Sequence, residues 1–339
     1  MLSHLRAAAW LLCFTLLLCS VVYPLTLLGI GATVFPRRAE GSILRDKDGK
    51  AIGSRLIAQP FSKDEYFQPR PSAAGDDGYD ASASSGSNLA ASNPKLRGRV
   101  AQALGLIARY KKDGPWKGAA VGDDVEAWFA EQSKTRDLVK EWVDSNPSLL
   151  DAWGTSSGAI KAYLKKEDLS PAAFFERHLK ANPGKWPKIV EDEKDGTKVG
   201  KVEPVDKGDE IKSYFFDQWL REKPKKLNPV TQQMQTIDPL TDMEQVPADL
   251  VMASGSGLDP HISLRNAEYQ LERVVEAREK QVKESGGDPS KVHAVVEKLV
   301  KDHAFRPLAG LAGGDALLNV LELNLALDAA IKPLQGQGK

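Results

Sequence analysis

The chain has 339 residues, and its 46 basic and 46 acidic side chains leave it formally neutral, without the basic stripe of a nucleic-acid binder. Its two cysteines, Cys13 and Cys19, both fall in one apolar run near the N-terminus, so the polar remainder has no thiol for a disulfide or a thiolate metal site. The five histidines, His4, His178, His261, His293 and His303, have no zinc-binding spacing.

Ala7 to Phe35 contain no charged side chain. That stretch exceeds the roughly 20 apolar residues a helix needs to cross a bilayer, and a backbone in hydrocarbon must satisfy its own hydrogen bonds, which dictates a helix. Pro24 and the Gly29/Gly31 pair sit late in the run, as a kink or as the membrane exit. A cleaved secretory signal would have an apolar region of about 7 to 15 residues closed by a small-x-small site. This run is longer and has no clear site of that kind. Leu18 before Cys19 is also not the small residue of a lipoprotein signal, so the run reads as an uncleaved anchor. Arg6 precedes it and Arg37, Arg38, Arg45 and Lys47 follow. A count of positive charges keeps the polar part in the cytoplasm, but that rule weakens for large exported domains, so charge leaves the topology open.

Residues 41–45 and 52–57 read as two short strands joined by the turn cluster Asp46-Lys47-Asp48-Gly49, with Gln59-Pro60-Phe61 ending the second. Residues 66–94 are rich in Gly, Ser, Ala, Asp and Asn. A flexible linker would have this composition, but Tyr66, Phe67, Tyr79 and Leu89 are apolar groups a linker does not need, and an ordered loop of Asx and Ser turns fits better. Arg70 lies between Pro69 and Pro71, which restrict its backbone and would present its guanidinium in a fixed direction. Ser92-Asn93-Pro94 opens a helix through Val100, Leu104 and Ile107.

Between Ile107 and Ile237 lie six of the seven tryptophans. Helical spacing links Val125, Trp128 and Phe129, then Leu138, Val139 and Trp142. Ser170-Pro171 is an N-cap followed by proline at the first helical position, ahead of Phe174, Phe175 and Leu179. Ile211–Leu220 carries Phe215, Phe216 and Trp219. These aromatics suit a separate helical core better than a ligand cage, and Lys185–Asp209 reads as a surface loop. Further on, Ser263 caps a helix carrying Ala267, Leu271, Val274, Val275 and Arg278. Asp288-Pro289 opens another with Val292, Val295, Val296 and Leu299. Leu317–Ile331 reads as a helix, although Leu321, Leu323, Leu325 and Leu327 also alternate at period two.

Ser254-Gly255-Ser256-Gly257 has the composition of a phosphate loop but neither the lysine and hydroxyl of a P-loop nor a dinucleotide fingerprint. Close backbone approach or partner docking explains its glycines better. Ser256, His261 and an aspartate supply the residue types of a hydrolase triad without the G-x-S-x-G elbow. The residues alone therefore describe a mixed α/β soluble domain on a single N-terminal transmembrane helix, with an α-helical insert and no convincing catalytic constellation.

Three blocks carry a resemblance. The first is Ile52-Gly53-Ser54-Arg55-Leu56-Ile57-Ala58-Gln59-Pro60-Phe61. The second is Tyr66-Phe67-Gln68-Pro69-Arg70-Pro71-Ser72-Ala73 with Tyr79-Asp80 and Gly86-Ser87-Asn88-Leu89-Ala90. The third runs from Asp249-Leu250-Val251 through Ser254-Gly255-Ser256-Gly257-Leu258-Asp259-Pro260-His261-Ile262-Ser263 to the Asn319–Asp328 segment. In this order after an N-terminal anchor, they resemble the C subunit of Kdp-type potassium-transporting ATPases. The resemblance covers about 1–106 and 238–332. It divides the chain into a tail (1–6), the transmembrane helix (7–35), a C-subunit-like α/β domain (36–106 and 238–332), the helical insert (107–237) and a second tail (333–339). Met252 and Leu264 stand where the family often has threonine and proline, and typical members lack most of the insert, which reads as a helical cap on the outer face.

The resemblance implies a non-catalytic accessory subunit of an ATP-driven potassium uptake complex in the bacterial inner membrane. The soluble domain would face outward. The partners implied are a channel-like potassium-binding subunit, a P-type ATPase subunit, a small single-span subunit and the lipid bilayer. ATP and potassium would be used by the complex, with no cofactor on this chain, and the family role includes a chaperone function raising the pump subunit's ATP affinity. The candidate partner contacts are Gly53, Ser54, Gln59, Phe61, Tyr66, Phe67, Arg70, Pro71, Ser72, Tyr79, Asp80, Ser87 and Asn88, with Ser254, Gly255, Ser256, Gly257, Leu258, Asp259, Pro260 and His261. Loops on a scaffold tend to carry function, although each of these residues could instead stabilise the domain's own turns. The rival readings are a free-standing membrane-anchored extracytoplasmic binding protein whose insert holds the ligand, and an envelope hydrolase using Ser256.

Overall fold

A computed structural model describes residues 2–194, 197–307 and 313–336. Helix α1 (Leu2–Leu17), a π turn (Leu18–Val22) and α2 (Tyr23–Val34) run on without a break. Residues Ser3–Val34 are long and apolar enough to cross a membrane, with a mean hydropathy of 2.3. The π turn lies just before Pro24. Proline has no N–H to donate, and its ring crowds the carbonyl four residues back, so a locally wider turn relieves the strain. The hydroxyls of Thr15, Thr26 and Thr33 donate to carbonyls of the preceding turn, which satisfies these three groups on the apolar surface. Phe35 leaves the helix, and a single turn, α3 (Pro36–Ala39), follows.

Strands β1 (Ile43–Arg45) and β2 (Ala51–Ser54) form the expected hairpin, with the Asp46 carboxylate accepting from the Asp48 and Lys50 amides in the turn. The second strand is shorter than the sequence suggested. It ends at Ser54, whose hydroxyl donates to the Gly41 carbonyl and accepts from the Leu56 amide. That side chain turns the backbone out of the pairing well before Pro60.

The next elements are α4 (Pro94–Ile107), α5 (Gly122–Gln132), α6 (Leu138–Ser145), α7 (Pro147–Trp153), α8 (Gly158–Lys166) and α9 (Pro171–Ala181). The expected surface loop at 185–209 is instead an antiparallel hairpin, β3 (Trp186–Lys194) and β4 (Thr197–Val205), pairing Trp186 with Val205. Trp186 is fully buried, and Ile189, Val202 and Val205 pack beside it on the core. The many Lys, Asp and Glu between them obscured that face in the sequence. There follow α10 (Asp209–Arg221), β5 (Lys225–Leu227), β6 (Met234–Thr236), α11 (Pro239–Asp242), α12 (Ala248–Val251) and β7 (His261–Ser263). The chain then forms α13 (Leu264–Glu284), α14 (Val292–His303), β8 (Leu317–Asn319) and α15 (Val320–Ile331). The last apolar segment is thus a short strand running into a helix. The architecture is mixed: helices with four two-stranded antiparallel sheets among the described residues.

Among the described residues, two hydrophobic cores divide the polar part. One joins α13, α14 and α15 with β7, β8 and Phe67. The other belongs to the tryptophan-rich segment, where the aromatic side chains pack as core. Tyr214 stacks on Trp186 at 4.2 Å between centroids, and Trp142 meets Trp186 edge-on at 4.9 Å. Helix α4 lies against this second core through Ala101 and Leu104. It approaches α10 so closely that a Cβ at Gly105 would collide with the Lys212 carbonyl oxygen. The two parts are also tied by the Tyr269 hydroxyl to the Ile107 carbonyl (2.8 Å), Lys112 to Glu272 (3.1 Å) and Lys161 to Asp76 (2.7 Å).

Because backbone cannot give way as a flexible side chain can, Gly105→Ala should push α4 off α10. We expect a loss of about 1–3 kcal/mol, typical of overpacking, read as a lower denaturation midpoint with the helical signal at low denaturant retained.

Candidate functional site

The two stretches singled out in the sequence, 66–94 and Ser254–His261, lie against each other, and side chains bonded to backbone hold them together. The Phe67 amide donates to Asn324 Oδ1 and its carbonyl accepts from Asn324 Nδ2, both at 2.9 Å. Gln68 is held in the same manner by Gln270, at 2.8 and 3.0 Å. A carboxamide thereby stands in for a neighbouring strand, satisfying donor and acceptor of one residue together. Phe67 and Asn324 are buried, so leaving either peptide group unpaired would carry a desolvation cost of about 1–3 kcal/mol.

Arginines brace the same segment from α13. Arg273 donates to the Asp64 and Tyr66 carbonyls, and Arg278 to the Glu65 carbonyl. The buried Arg278 guanidinium also pairs with Asp328 at 2.6 Å and lies 4.8 Å from the centre of the Tyr66 ring. Burial first, and the neighbouring Asp328 second, raise the Tyr66 hydroxyl above its ordinary pKa. Phe61 packs on Tyr66 at 5.4 Å.

Further along, Arg70 does point in a fixed direction, but inward: Nε and Nη2 reach the Met252 and Ala253 carbonyls at 3.3 and 3.1 Å. Pro71 leads to Ser72, whose hydroxyl donates to the Gly257 carbonyl (2.6 Å) and accepts from the Ala74 and Tyr79 amides. The Tyr79 hydroxyl returns to the Arg70 carbonyl (2.8 Å), and burial pushes its pKa up to about 12. The Asp80 side chain accepts from the amide and hydroxyl of Ser82, which lowers its pKa. Ser84 donates to the Ser256 carbonyl. At Gly257, φ is +70° and an added Cβ would meet the Ser85 carbonyl oxygen at 2.5 Å. Glycine there allows both the left-handed turn and the close backbone approach.

Within the second loop, Ser254 is buried and Gly255 is open to solvent. Ser256 Oγ accepts from the Leu258 amide, and the Leu258 carbonyl accepts from the Ala58 amide. The Pro260 carbonyl accepts from the Val320 amide. His261 Nδ1 lies 2.9 Å from Asp259 Oδ1, and its ring meets Phe305 at 5.6 Å. Gly53 lies in β2, and the Gln59 side chain packs beside it, with Nε2 donating to the Ile52 carbonyl. Ser87 accepts from Arg99, and Asn88 is exposed in the left-handed region at φ 49°. Arg70, Ser72 and Tyr79 are therefore joined in one network, beside which the Ser254 hydroxyl accepts from the Asp259 amide, while Ser54, Gln59, Ser87 and Asn88 lie outside it.

Gln270, Asn266 and Arg273 were not singled out in the sequence, while Asn324 and Asp249, whose carboxylate accepts from the Ser263 amide and hydroxyl, lay inside the quoted blocks without a role. Their signal is a polar residue on an apolar helix face: Asn266 and Gln270 share a turn with Ala267 and Leu271, and Asn324 interrupts a leucine run. A surface was missed as well. Leu227 and Met234 face each other across β5–β6 and are 51% and 61% exposed, with Val230 at the turn 77% exposed. Asn228 Oδ1 accepts from the Val230 and Thr231 amides, which fixes that turn.

The profile of the family described as KdpC, the c chain of K+-transporting ATPases, matches residues 5–125 and 220–329. The chain is 31% identical over 338 residues to the potassium-transporting ATPase KdpC subunit of Caulobacter vibrioides, covering 99% of this chain and 98% of that one. Over 324 residues it is 28% identical to the KdpC subunit of Mycobacterium tuberculosis, covering 96% of each. The Beijerinckia indica KdpC subunit is 49% identical over 113 residues, 33% of this chain and 56% of the relative. The chain belongs to the KdpC family and is a subunit of a potassium-transporting ATPase complex. The profile's gap at 126–219 falls in the tryptophan-rich segment, whereas the β5–β6 hairpin lies inside the match.

The hydrogen bond from His261, with burial opposing it, holds the Asp259 carboxyl below its ordinary value. Folded, it binds a proton less readily than unfolded, so its contribution is present above the ordinary carboxylate pKa and is lost as pH falls through the lowered one. Asp259→Asn should accordingly lower Tm near neutrality and flatten the fall in Tm below about pH 4, measured by thermal scans across pH.

Proposed function

We propose that this chain is a non-catalytic accessory subunit of a high-affinity ATP-driven potassium uptake complex. One helix anchors it in the bacterial inner membrane, with the polar part outside the cytoplasm. The observation that carries this reading is where the loop side chains spend their hydrogen bonds. Arg70, Ser72, Tyr79 and Ser254 bind the loops' own backbone, and Ser256 and His261 turn to Leu258 and Asp259. A network committed to its own backbone makes a rigid surface. In this reading the partners are a channel-like potassium-binding subunit, a P-type ATPase subunit and a small single-span subunit. They handle the potassium and the ATP, while this chain holds the complex together. A chaperone effect on the pump's ATP affinity comes with the family resemblance; from outside the cytoplasm it would have to travel through subunit contacts.

The β5–β6 hairpin supplies a partner contact of the right character, with exposed apolar side chains on a fixed turn. Affinity purification of the chain from mild-detergent membranes should recover a P-type ATPase, a channel-like partner and potassium-stimulated ATP hydrolysis. Leu227→Lys with Met234→Lys should reduce that recovery severalfold without lowering Tm. A chain recovered alone, without ATPase activity, would instead favour a free-standing binding protein.

A further inference from the structure

Where α2 ends, a second feature has no part in the loop network. A cleft of about 690 Å³ opens between α3, the β1–β2 hairpin and the start of α15, lined by Arg37, Arg38, Arg45, Arg55, His261 and Glu322 among others. Four arginines face two carboxylates there, Glu40 and Glu322. Glu322 is committed to Arg55 Nε at 2.8 Å, and Arg45 Nη1 donates to the Gly49 carbonyl. Arg37 and Arg38 are exposed and make no ion pair among the described residues. The cleft's surroundings are apolar: Phe35, Ile43, Leu56 and Phe305 are 52%, 41%, 57% and 44% exposed.

We propose that this cleft binds the phosphate of an anionic phospholipid. Its position supports that choice over other anions. Arg37 stands three residues beyond Val34, the last residue of the apolar helix, so a chain spanning the bilayer places the guanidinium groups at headgroup depth. Guanidinium presents a planar fork of donors matched to phosphate oxygens. The exposed Phe35, Ile43 and Leu56 would cost hydration free energy in water but suit the glycerol and upper acyl region of a lipid. The lipid would fix the angle of the domain over the membrane by joining α3 to the β1–β2 hairpin. This inference does not depend on the subunit reading.

Each arginine near an anionic surface contributes about 1 kcal/mol, a factor of about five in binding. The test is native mass spectrometry of the full chain released from bilayers of equimolar phosphatidylglycerol and phosphatidylcholine. The chain should retain phosphatidylglycerol at least about tenfold over phosphatidylcholine. Arg37→Gln with Arg38→Gln lies outside both cores and should remove most of that preference, while Arg37→Lys with Arg38→Lys should keep much of it. Equal retention of both lipids by the unaltered chain, or an unchanged preference in the glutamine variant, would overturn the proposal. Displacement of the lipid by millimolar inorganic phosphate would also overturn it, because it would assign the cleft to the free anion.

Discussion

Side-chain amides that act as a missing strand organise this protein. The 66–92 loop has few backbone partners of its own, yet it crosses a buried region where unpaired peptide groups are costly. Asn324 from α15 and Gln270 from α13 each bond one residue's donor and acceptor at Phe67 and Gln68. Arg273 and Arg278 then take the carbonyls just before them. Once the segment is pinned, Arg70, Ser72 and Tyr79 fall within reach of the 252–257 backbone, and the second loop is fixed in turn. Helices and loops thus define each other, and among the described residues the sheets in this part have two strands each.

Much of the fold was legible because local chemistry announces itself. Asn93, Ser170 and Ser263 cap α4, α9 and α13 as their sequence context implies, and the tryptophans form a core of their own. The β3–β4 hairpin was not legible: its buried face alternates with a dense run of charges, and the charges dominate the composition. The shortened β2 was missed because a serine hydroxyl, rather than the later proline, ends the pairing.

The loops stood out in the sequence, but the roles of their residues did not. Arg70 between two prolines suggested a guanidinium offered to a partner. It is aimed inward, because two carbonyls from a segment about 180 residues away lie in its path. Asn324 and Gln270, on which the loops depend, sit on helices and resemble interruptions in apolar stripes. A polar residue on such a stripe is informative only when its partner is known, and the partner here is distant in sequence. The exposed β5–β6 hairpin was hidden for the opposite reason, since Leu227 and Met234 look like core residues until their burial is known.

The tryptophan-rich segment is joined to this framework by close packing. Its helix α10 meets α4 at Gly105, with Lys112–Glu272 and Lys161–Asp76 at the margins. Exposed ion pairs of this kind contribute little each, so the glycine contact and the shared apolar face carry the junction. Amide hydrogen exchange of the full chain tests the amide clamp most directly. The Phe67 and Gln68 amides should exchange as slowly as those in the middle of α13, and Asn324→Ala should release Phe67 selectively. Exchange of both amides at the rate of the exposed 81–85 segment would contradict it.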